Sequence, residues 1–233
     1  TDAYKPSHPR AMKPGLTHIS AYMEARTGGK YPFTNWFGLD FVIAQNLMTV
    51  PSNADLEEAK ETSFETYGEN YFIEEPWKKA QEIGYIPLKI DALPEGMNVP
   101  ISNALFTYSA TEEWFAPVAN SLETLLMHPW YPTTISTRTK TIKEGLRPLV
   151  VQSGTIELLD FMVNDFGARG GTWYEAVAVA GAAVLIHGQG SDNLIASRFI
   201  KDFYGYKGRA KSIWATEHSV ALSFGPGEGE YLY

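Results

Sequence analysis

The sequence has 233 residues, of which 44% are hydrophobic and 20% charged, with a formal net charge of −8. This composition is typical of a globular chain with a buried core, and the acidic balance argues against a basic surface for nucleic acid or anionic membranes. No apolar run approaches the roughly 18–20 residues that span a bilayer, no signal-peptide pattern opens the chain, and there is no cysteine. We therefore expect a cytoplasmic protein with neither nucleic acid nor a membrane as partner, and without disulfide or thiolate chemistry.

The N-terminal part of the chain predicts a mixture of strands and helices. Apolar and polar residues alternate, as in strands, over residues 18–24 and in a small antiparallel unit over residues 84–110. Helices are predicted from apolar residues on a helical period and from Ser52 or Asn53 as a cap and Pro76 in a first turn. The predicted helices lie near residues 36–48, after residue 52, after residue 76, and near residues 116–128 and 134–149.

The pattern changes after Gly154 to an alternation of strand, polar loop and helix. Strands are expected at residues 158–163 and 212–215, and helices at residues 173–186 and 193–204. This succession is typical of the βα units of a barrel or a doubly wound sheet. We therefore predict an α/β protein in two parts: a mixed α+β N-terminal region over residues 1–153, then the first part of an incomplete TIM-like βα barrel over residues 154–233.

In βα folds the chemistry lies on loops that follow strands, and three such loops carry candidate residues. His218 could be a general base, a nucleophile or a metal ligand, although local sequence alone favours a histidine that satisfies a buried loop. Arg169, beside two glycines before a helix, could bind a phosphate, or the glycines could serve only the turn. Asp192 could accept a hydrogen bond from a ligand amide, or it could simply cap the helix that follows.

Two further features predict no chemistry. The remaining histidines show no metal-ligand spacing, so no metal site is predicted from them; they are His8, His18, His128 and His187. Residues 224–229 are rich in glycine but lack the Gly-Lys-Ser/Thr ending of a phosphate-binding loop, and they predict a flexible connection.

Short segments in a specific order and spacing along nearly the whole chain carry a resemblance to a known family. They are Thr1-Asp2-Ala3-Tyr4-Lys5 with His8, Tyr22-Met23-Glu24-Ala25-Arg26, Phe37-Gly38-Leu39, Leu93-Pro94-Glu95-Gly96, Asn103-Ala104-Leu105-Phe106-Thr107, Trp130-Tyr131-Pro132, Asp165-Phe166-Gly167 with Arg169-Gly170, Gly190-Ser191-Asp192 and Glu217-His218-Ser219. No single segment is decisive. Together they resemble the nicotinamide phosphoribosyltransferase family, its bacterial and phage-like members in particular.

The resemblance implies a pentosyltransferase of NAD salvage. Members of the family transfer phosphoribosyl from phosphoribosyl pyrophosphate to the ring nitrogen of nicotinamide, which gives nicotinamide mononucleotide and pyrophosphate. It also implies Mg²⁺ beside the pyrophosphate, ATP as a phosphoryl donor, and a homodimer whose sites are shared across the interface.

The resemblance implies that four residues surround the nicotinamide. Phe166 would stack on its ring, with Tyr4 of the partner subunit on the other face. Asp192 would hold the carboxamide, and Ser212 would line the nicotinamide tunnel. Nicotinate would place its carboxylate against Asp192, so the side chain favours the amide as substrate.

Four other residues are implied at the phosphate end. Arg169 would contact the 5′-phosphate, and Arg26 would reach the pyrophosphate or the ATP phosphates from the partner subunit. His218 would be the residue that ATP phosphorylates, with Glu217 orienting its imidazole.

The chain departs from the family in sequence and in length. Ala168 stands where some relatives carry Tyr, Asn164 where some carry His, and Trp214 replaces a smaller residue. Family members are much longer, so we expect an N-terminal part of the enzyme, inactive or poorly folded alone. Two alternatives stay open: a nicotinate phosphoribosyltransferase, and a truncated, non-catalytic paralogue that binds ligand or dimerises.

Overall fold

The computed structural model of the chain describes residues 1–225. Residues 226–229 of the predicted flexible connection, and the end of the predicted second part, lie outside these residues. The helices are α1 His8–Ala11, α2 Leu39–Asn46, α3 Asn53–Tyr67, α4 Glu75–Ile83, α5 Ala116–Ala119, α6 Glu123–Met127, α7 Trp130–Ser153, α8 Tyr174–Leu185, α9 Leu194–Tyr204 and α10 His218–Ser223. The strands are β1 Ser20–Glu24, β2 Phe33–Asn35, β3 Leu88–Ala92, β4 Asn98–Pro100, β5 Ala104–Ala110, β6 Asn164–Asp165 and β7 Gly190–Ser191.

An antiparallel sheet in the order β1–β5–β3 forms the centre of the N-terminal part. The predicted antiparallel unit is confirmed for β3 and β5, but β4 pairs with β2 in a separate two-stranded sheet. Apolar side chains of β1 and β5 pack on Trp36, which is fully buried. This core positions the turn that follows β3 against the start of α2.

Glu95 joins that turn to helix α2. Its Oε1 accepts hydrogen bonds from the backbone N–H groups of Gly38 (2.7 Å) and Asp40 (3.1 Å), so it satisfies two donors at the start of α2. Its Oε2 accepts from the Tyr204 hydroxyl at 3.0 Å, and burial raises the pKa of Glu95. The Glu95 side chain, in the predicted N-terminal region, therefore contacts helix α9 of the predicted second part.

A chain of buried polar groups also links the N-terminal part to the second part. The Asn35 amide donates to Gly96 O at 2.7 Å and to Asn98 Oδ1 at 2.8 Å. Ser136 Oγ donates to Asn35 Oδ1 at 2.5 Å and lies 2.8 Å from His187 Nε2. Because the hydroxyl has one proton, His187 must donate from Nε2, and burial lowers its pKa to about 4. His187 is therefore a neutral structural histidine.

The second part contains three parallel segments with helices between them. β6 pairs with β7 in parallel, and Gly190 forms a parallel bridge with Lys211; α8 and α9 connect the three. The predicted α/β class is confirmed. The barrel stays a prediction.

Two predicted strands of this part are wrong. Residues 158–163 fall mostly in the 3₁₀ segment Ile156–Phe161, where Leu159 is buried but Leu158 and Phe161 are exposed. Residues 212–215 have no strand structure, and Trp214 is fully exposed. A short apolar run indicates a strand only if neighbours cover both its faces, and that coverage is not encoded in the run itself.

None of the helices in residues 1–225 combines the length and apolar character needed to cross a bilayer.

Candidate active site

The parallel pairing brings the starts of three loops to one edge. Asn164 pairs with Gly190 and Asp165 with Ser191, and Asp192 N donates to Asp165 O at 3.0 Å. Lys211 O accepts from Ser191 N at 2.9 Å. Because these segments run in the same direction, the residues that follow them leave at the same edge. Phe166, Asp192 and Ser212 are those residues.

Gly190 is needed for this close approach. A Cβ at this position would lie 2.8 Å from both Val163 O and Asn164 Oδ1. A side chain would therefore separate β7 from the segment before it, so the glycine of Gly190-Ser191-Asp192 serves the geometry of the site.

Asp192 does not cap helix α9. Asn193 does so, because its side chain accepts from Ala196 N at 3.0 Å while its Nδ2 donates to Asp165 Oδ2 at 3.0 Å. The Asp192 carboxylate instead accepts at Oδ1 from Ser212 Oγ (2.7 Å) and from Asn164 Nδ2 (3.4 Å). The helix-cap alternative for Asp192 is therefore wrong, and its carboxylate lies between two segments of the site.

The loop after β6 is shaped by its own aspartate. Asp165 Oδ1 accepts from Gly167 N at 2.8 Å, which turns the backbone immediately after Phe166. The Phe166 side chain is 56% exposed, so an aromatic face is available to a ligand. Arg169 follows in the 3₁₀ turn Gly167–Gly170 and is exposed.

A cavity of about 570 Å³ adjoins this loop. Phe166 lines it together with side chains of α7 and α8, among them Arg138 and Val177. At Gly171, also in its lining, a Cβ would lie 2.3 Å from Val177 Cγ2, so the loop approaches α8 too closely for a side chain there.

His218 is the first residue of α10 and is exposed. The alternative of a histidine that satisfies a buried loop is therefore wrong for the described structure. Glu217 precedes it at the cap position, and the Glu217 carboxylate accepts from the Ser219 hydroxyl at 2.8 Å. An orienting role of Glu217 toward the imidazole stays a prediction.

Comparisons with known proteins give the context of this site. Residues 1–90 match the family model of the nicotinamide phosphoribosyltransferase N-terminal domain. A nicotinamide phosphoribosyltransferase of Xanthomonas campestris pv. campestris (strain 8004) is 34% identical over 229 residues, which is 97% of this chain and 48% of the relative. Over nearly its whole length the chain is therefore similar to nicotinamide phosphoribosyltransferases.

Two further proteins extend this result. The nicotinamide phosphoribosyltransferase of Acinetobacter baylyi (strain ATCC 33305 / BD413 / ADP1) is 28% identical over 98% of this chain and 49% of its own length. The chain thus spans about half the length of the curated relatives it matches. The crystal structure of human nicotinic acid phosphoribosyltransferase shares the fold, with a TM-score of 0.57 at 18% identity over 96% of this chain and 40% of that one.

Two residues that the nicotinamide phosphoribosyltransferase resemblance implies lie in the N-terminal part. Tyr4 is 54% exposed and its ring lies 5.2 Å from that of His8. Arg26 lines a pocket of about 380 Å³ together with Tyr22, which is 64% exposed, and Glu123. Their roles toward a partner subunit stay predictions.

Sequence reasoning missed three residues that shape this site. Asn193 is a cap residue directly before a predicted helix, so the helix boundary could have identified it. Asp165 was noted only as part of a motif, and no local signal distinguishes its contact with Asn193. Arg138 lies on a helix far away in sequence, and only the packing of α7 against α8 brings it to the cavity.

Proposed function

We propose that this chain is part of an enzyme that transfers phosphoribosyl from phosphoribosyl pyrophosphate to nicotinamide, giving nicotinamide mononucleotide and pyrophosphate in NAD salvage. The names of the relatives support this activity. The structural observation that supports it most is that Phe166, Asp192 and Ser212 lie at the same edge of the parallel segments. An exposed aromatic face beside a carboxylate is suited to a neutral aromatic amide.

The chemistry of these groups favours the transition state. The nicotinamide ring nitrogen becomes positively charged as it attacks the anomeric carbon, and pyrophosphate leaves with the bonding electrons. Phe166 would stack on the ring and stabilise the developing cation, with Tyr4 of the partner subunit on the opposite face. Asp192 would accept an N–H of the carboxamide and so fix the rotation of the ring.

Asp192 also argues for the amide as substrate. A carboxylate has no proton to donate at neutral pH, so nicotinate would bring like charge against it. The nicotinate alternative has the support of a distant structural relative alone, which shares the fold.

The phosphate end would use positive charge and His218. We propose Arg169 for the 5′-phosphate, and Arg26 for the pyrophosphate or the ATP phosphates across a homodimer interface. The exposed His218 is accessible for phosphorylation by ATP, with Glu217 beside it. Phosphorylation would add negative charge near the leaving pyrophosphate.

Mg²⁺ is the metal ion that the family resemblance implies. In residues 1–225 no group of three or more His, Asp or Glu side chains is placed to hold a metal ion. Mg²⁺ remains a proposal from the family resemblance, in which the pyrophosphate itself brings oxygen ligands. No step above depends on it.

The rest of the protein would complete the fold. We propose that the three parallel segments begin a βα barrel, with a mixed region over residues 1–153 and the barrel from residue 154 onward, in a cytoplasmic homodimer. The order of parallel segments and intervening helices supports the barrel. The chain spans about half of its relatives, so we expect the 233 residues alone to bind ligand better than they turn it over.

A paired experiment tests the function. Nicotinamide and nicotinate are titrated into the purified chain by calorimetry, and mononucleotide formation is measured with phosphoribosyl pyrophosphate and Mg²⁺. We expect binding of the amide over the acid, and loss of that preference in Asp192→Asn. Amide binding without product is expected of an incomplete enzyme or a non-catalytic paralogue, and product from the 233 residues would refute the expected incompleteness. Binding of neither compound by a chain that shows a cooperative thermal unfolding transition would refute the proposed site.

A further inference from the structure

The Asp192 carboxylate is held at one oxygen and open at the other. Oδ1 accepts from Ser212 Oγ at 2.7 Å and from Asn164 Nδ2 at 3.4 Å. These donors lie on two different segments, on either side of Asp192 in the parallel order. Within residues 1–225 no donor reaches Oδ2.

The orientation of the Asn164 amide follows from this contact. A carboxylate only accepts hydrogen bonds, so the NH₂ group must face Asp192. The Asn164 carbonyl then points the other way, and Oδ1 is a buried oxygen without a hydrogen-bond partner among the described residues. It lies 2.8 Å from the position that a Gly190 Cβ would occupy.

An unsatisfied buried acceptor is costly, so its presence needs an explanation. An apolar residue of the same size would avoid that cost and keep the packing. What it could not supply is the N–H directed at Asp192. A histidine at this position would also provide a ring N–H.

We propose that Asn164 is a positioning residue that, together with Ser212, holds Asp192 so that its open oxygen meets the carboxamide N–H of the ligand. This inference rests on the proposed function and adds a residue that positions Asp192 for its selection of the amide over the acid. With one oxygen engaged from two sides, the carboxylate is held in one orientation, and in that orientation its open oxygen can only accept a hydrogen bond. The ligand must therefore supply the hydrogen-bond donor, which nicotinamide has in its carboxamide and nicotinate lacks.

The test compares Asn164→Leu, which keeps the branched shape and removes the donor, with Asn164→His, which keeps an N–H. Competition titration gives the ratio of nicotinamide to nicotinate affinity for each variant of the 233-residue chain. We expect Asn164→Leu to lower that ratio by about tenfold, because the loss of one hydrogen bond to a charged group changes an equilibrium by about that factor. Asn164→His should retain most of the ratio. Asn164→Ala, which adds no atom beside Gly190, replaces the leucine variant if that one does not fold.

A thermal melt separates positioning from structural support. Asn164→Leu also removes the unsatisfied oxygen, so its melting temperature should stay equal to that of the wild type or rise. A lower melting temperature with an unchanged affinity ratio would mean a purely structural residue and would overturn the proposal.

The contact itself can be observed without any ligand. The side-chain NH₂ resonances of Asn164 should shift in Asp192→Asn, and unchanged resonances would overturn the inference.

If the wild type prefers the amide and Asn164→Leu does so equally, the inference fails and the proposed function stands. If the wild type binds neither compound, the proposed function fails and this inference with it.

Discussion

At Gly38 both the backbone conformation and a close neighbour oppose an added methyl group. Its φ is +108°, and a Cβ there would lie 2.5 Å from Pro132 Cγ and 3.3 Å from Pro132 Cβ. The left-handed backbone costs an L-residue roughly 1–2 kcal/mol. Pro132 is buried within α7 and its ring is rigid, so the overlap adds roughly 1–3 kcal/mol. Together these effects predict that Gly38→Ala lowers the free energy of unfolding by about 2–5 kcal/mol.

Gly84 offers a matched control for this prediction. It also has a left-handed backbone, with φ of +81°, and ends α4, but nothing lies within 4 Å of a Cβ added there. Gly84→Ala should therefore show only the backbone cost, about 1–2 kcal/mol. Urea unfolding of both variants measures the difference, which is the contribution of Pro132. Equal losses in the two variants would refute the argument from close packing.

Two further predictions concern the buried polar groups. Burial, together with the charge of Lys140, lowers the pKa of His187 to about 4. As the pH falls, His187 is therefore protonated in the unfolded chain before it is protonated in the folded one. The free energy of unfolding should fall between about pH 6.5 and about pH 4, by on the order of 1 kcal/mol per pH unit. In His187→Gln the slope of unfolding free energy against pH should be correspondingly flatter in that window, and an identical slope would contradict the assignment. Tyr204→Phe keeps the ring but leaves Glu95 Oε2 without its donor, so urea unfolding should show a loss of roughly 1–3 kcal/mol; a loss below about 0.5 kcal/mol would mean that water replaces the hydroxyl.

Much of the local structure follows from sequence pattern. The alternation in residues 84–110 predicts the pairing of β3 with β5, and Ser52 caps α3 as expected, with Asp55 as the reciprocal partner. These features depend on neighbours in sequence or on period, so a single chain suffices to predict them.

The features that the sequence did not reveal depend on contacts between distant segments. Whether Leu158 is covered depends on what packs over it, and here nothing described covers it fully. The choice between Asp192 and Asn193 as cap is decided by Ser212 and Asn164, which lie on other segments. The family resemblance could name Asp192, but only the three-dimensional arrangement shows which of its oxygens is engaged.

The aromatic contacts of α2 and of Phe37, which precedes it, affect where the chain can be recombined with a relative. Phe41 meets Phe199 at 4.9 Å and Phe203 at 5.4 Å between ring centroids, and Phe37 stacks on Tyr204 at 5.4 Å. A recombination point between residues 153 and 154, although it falls at the end of α7, would therefore divide one apolar cluster between two parents. A single crossover there gives α2 and α9 to different parents, so the chimeras to prefer are those whose crossovers leave both helices with one parent.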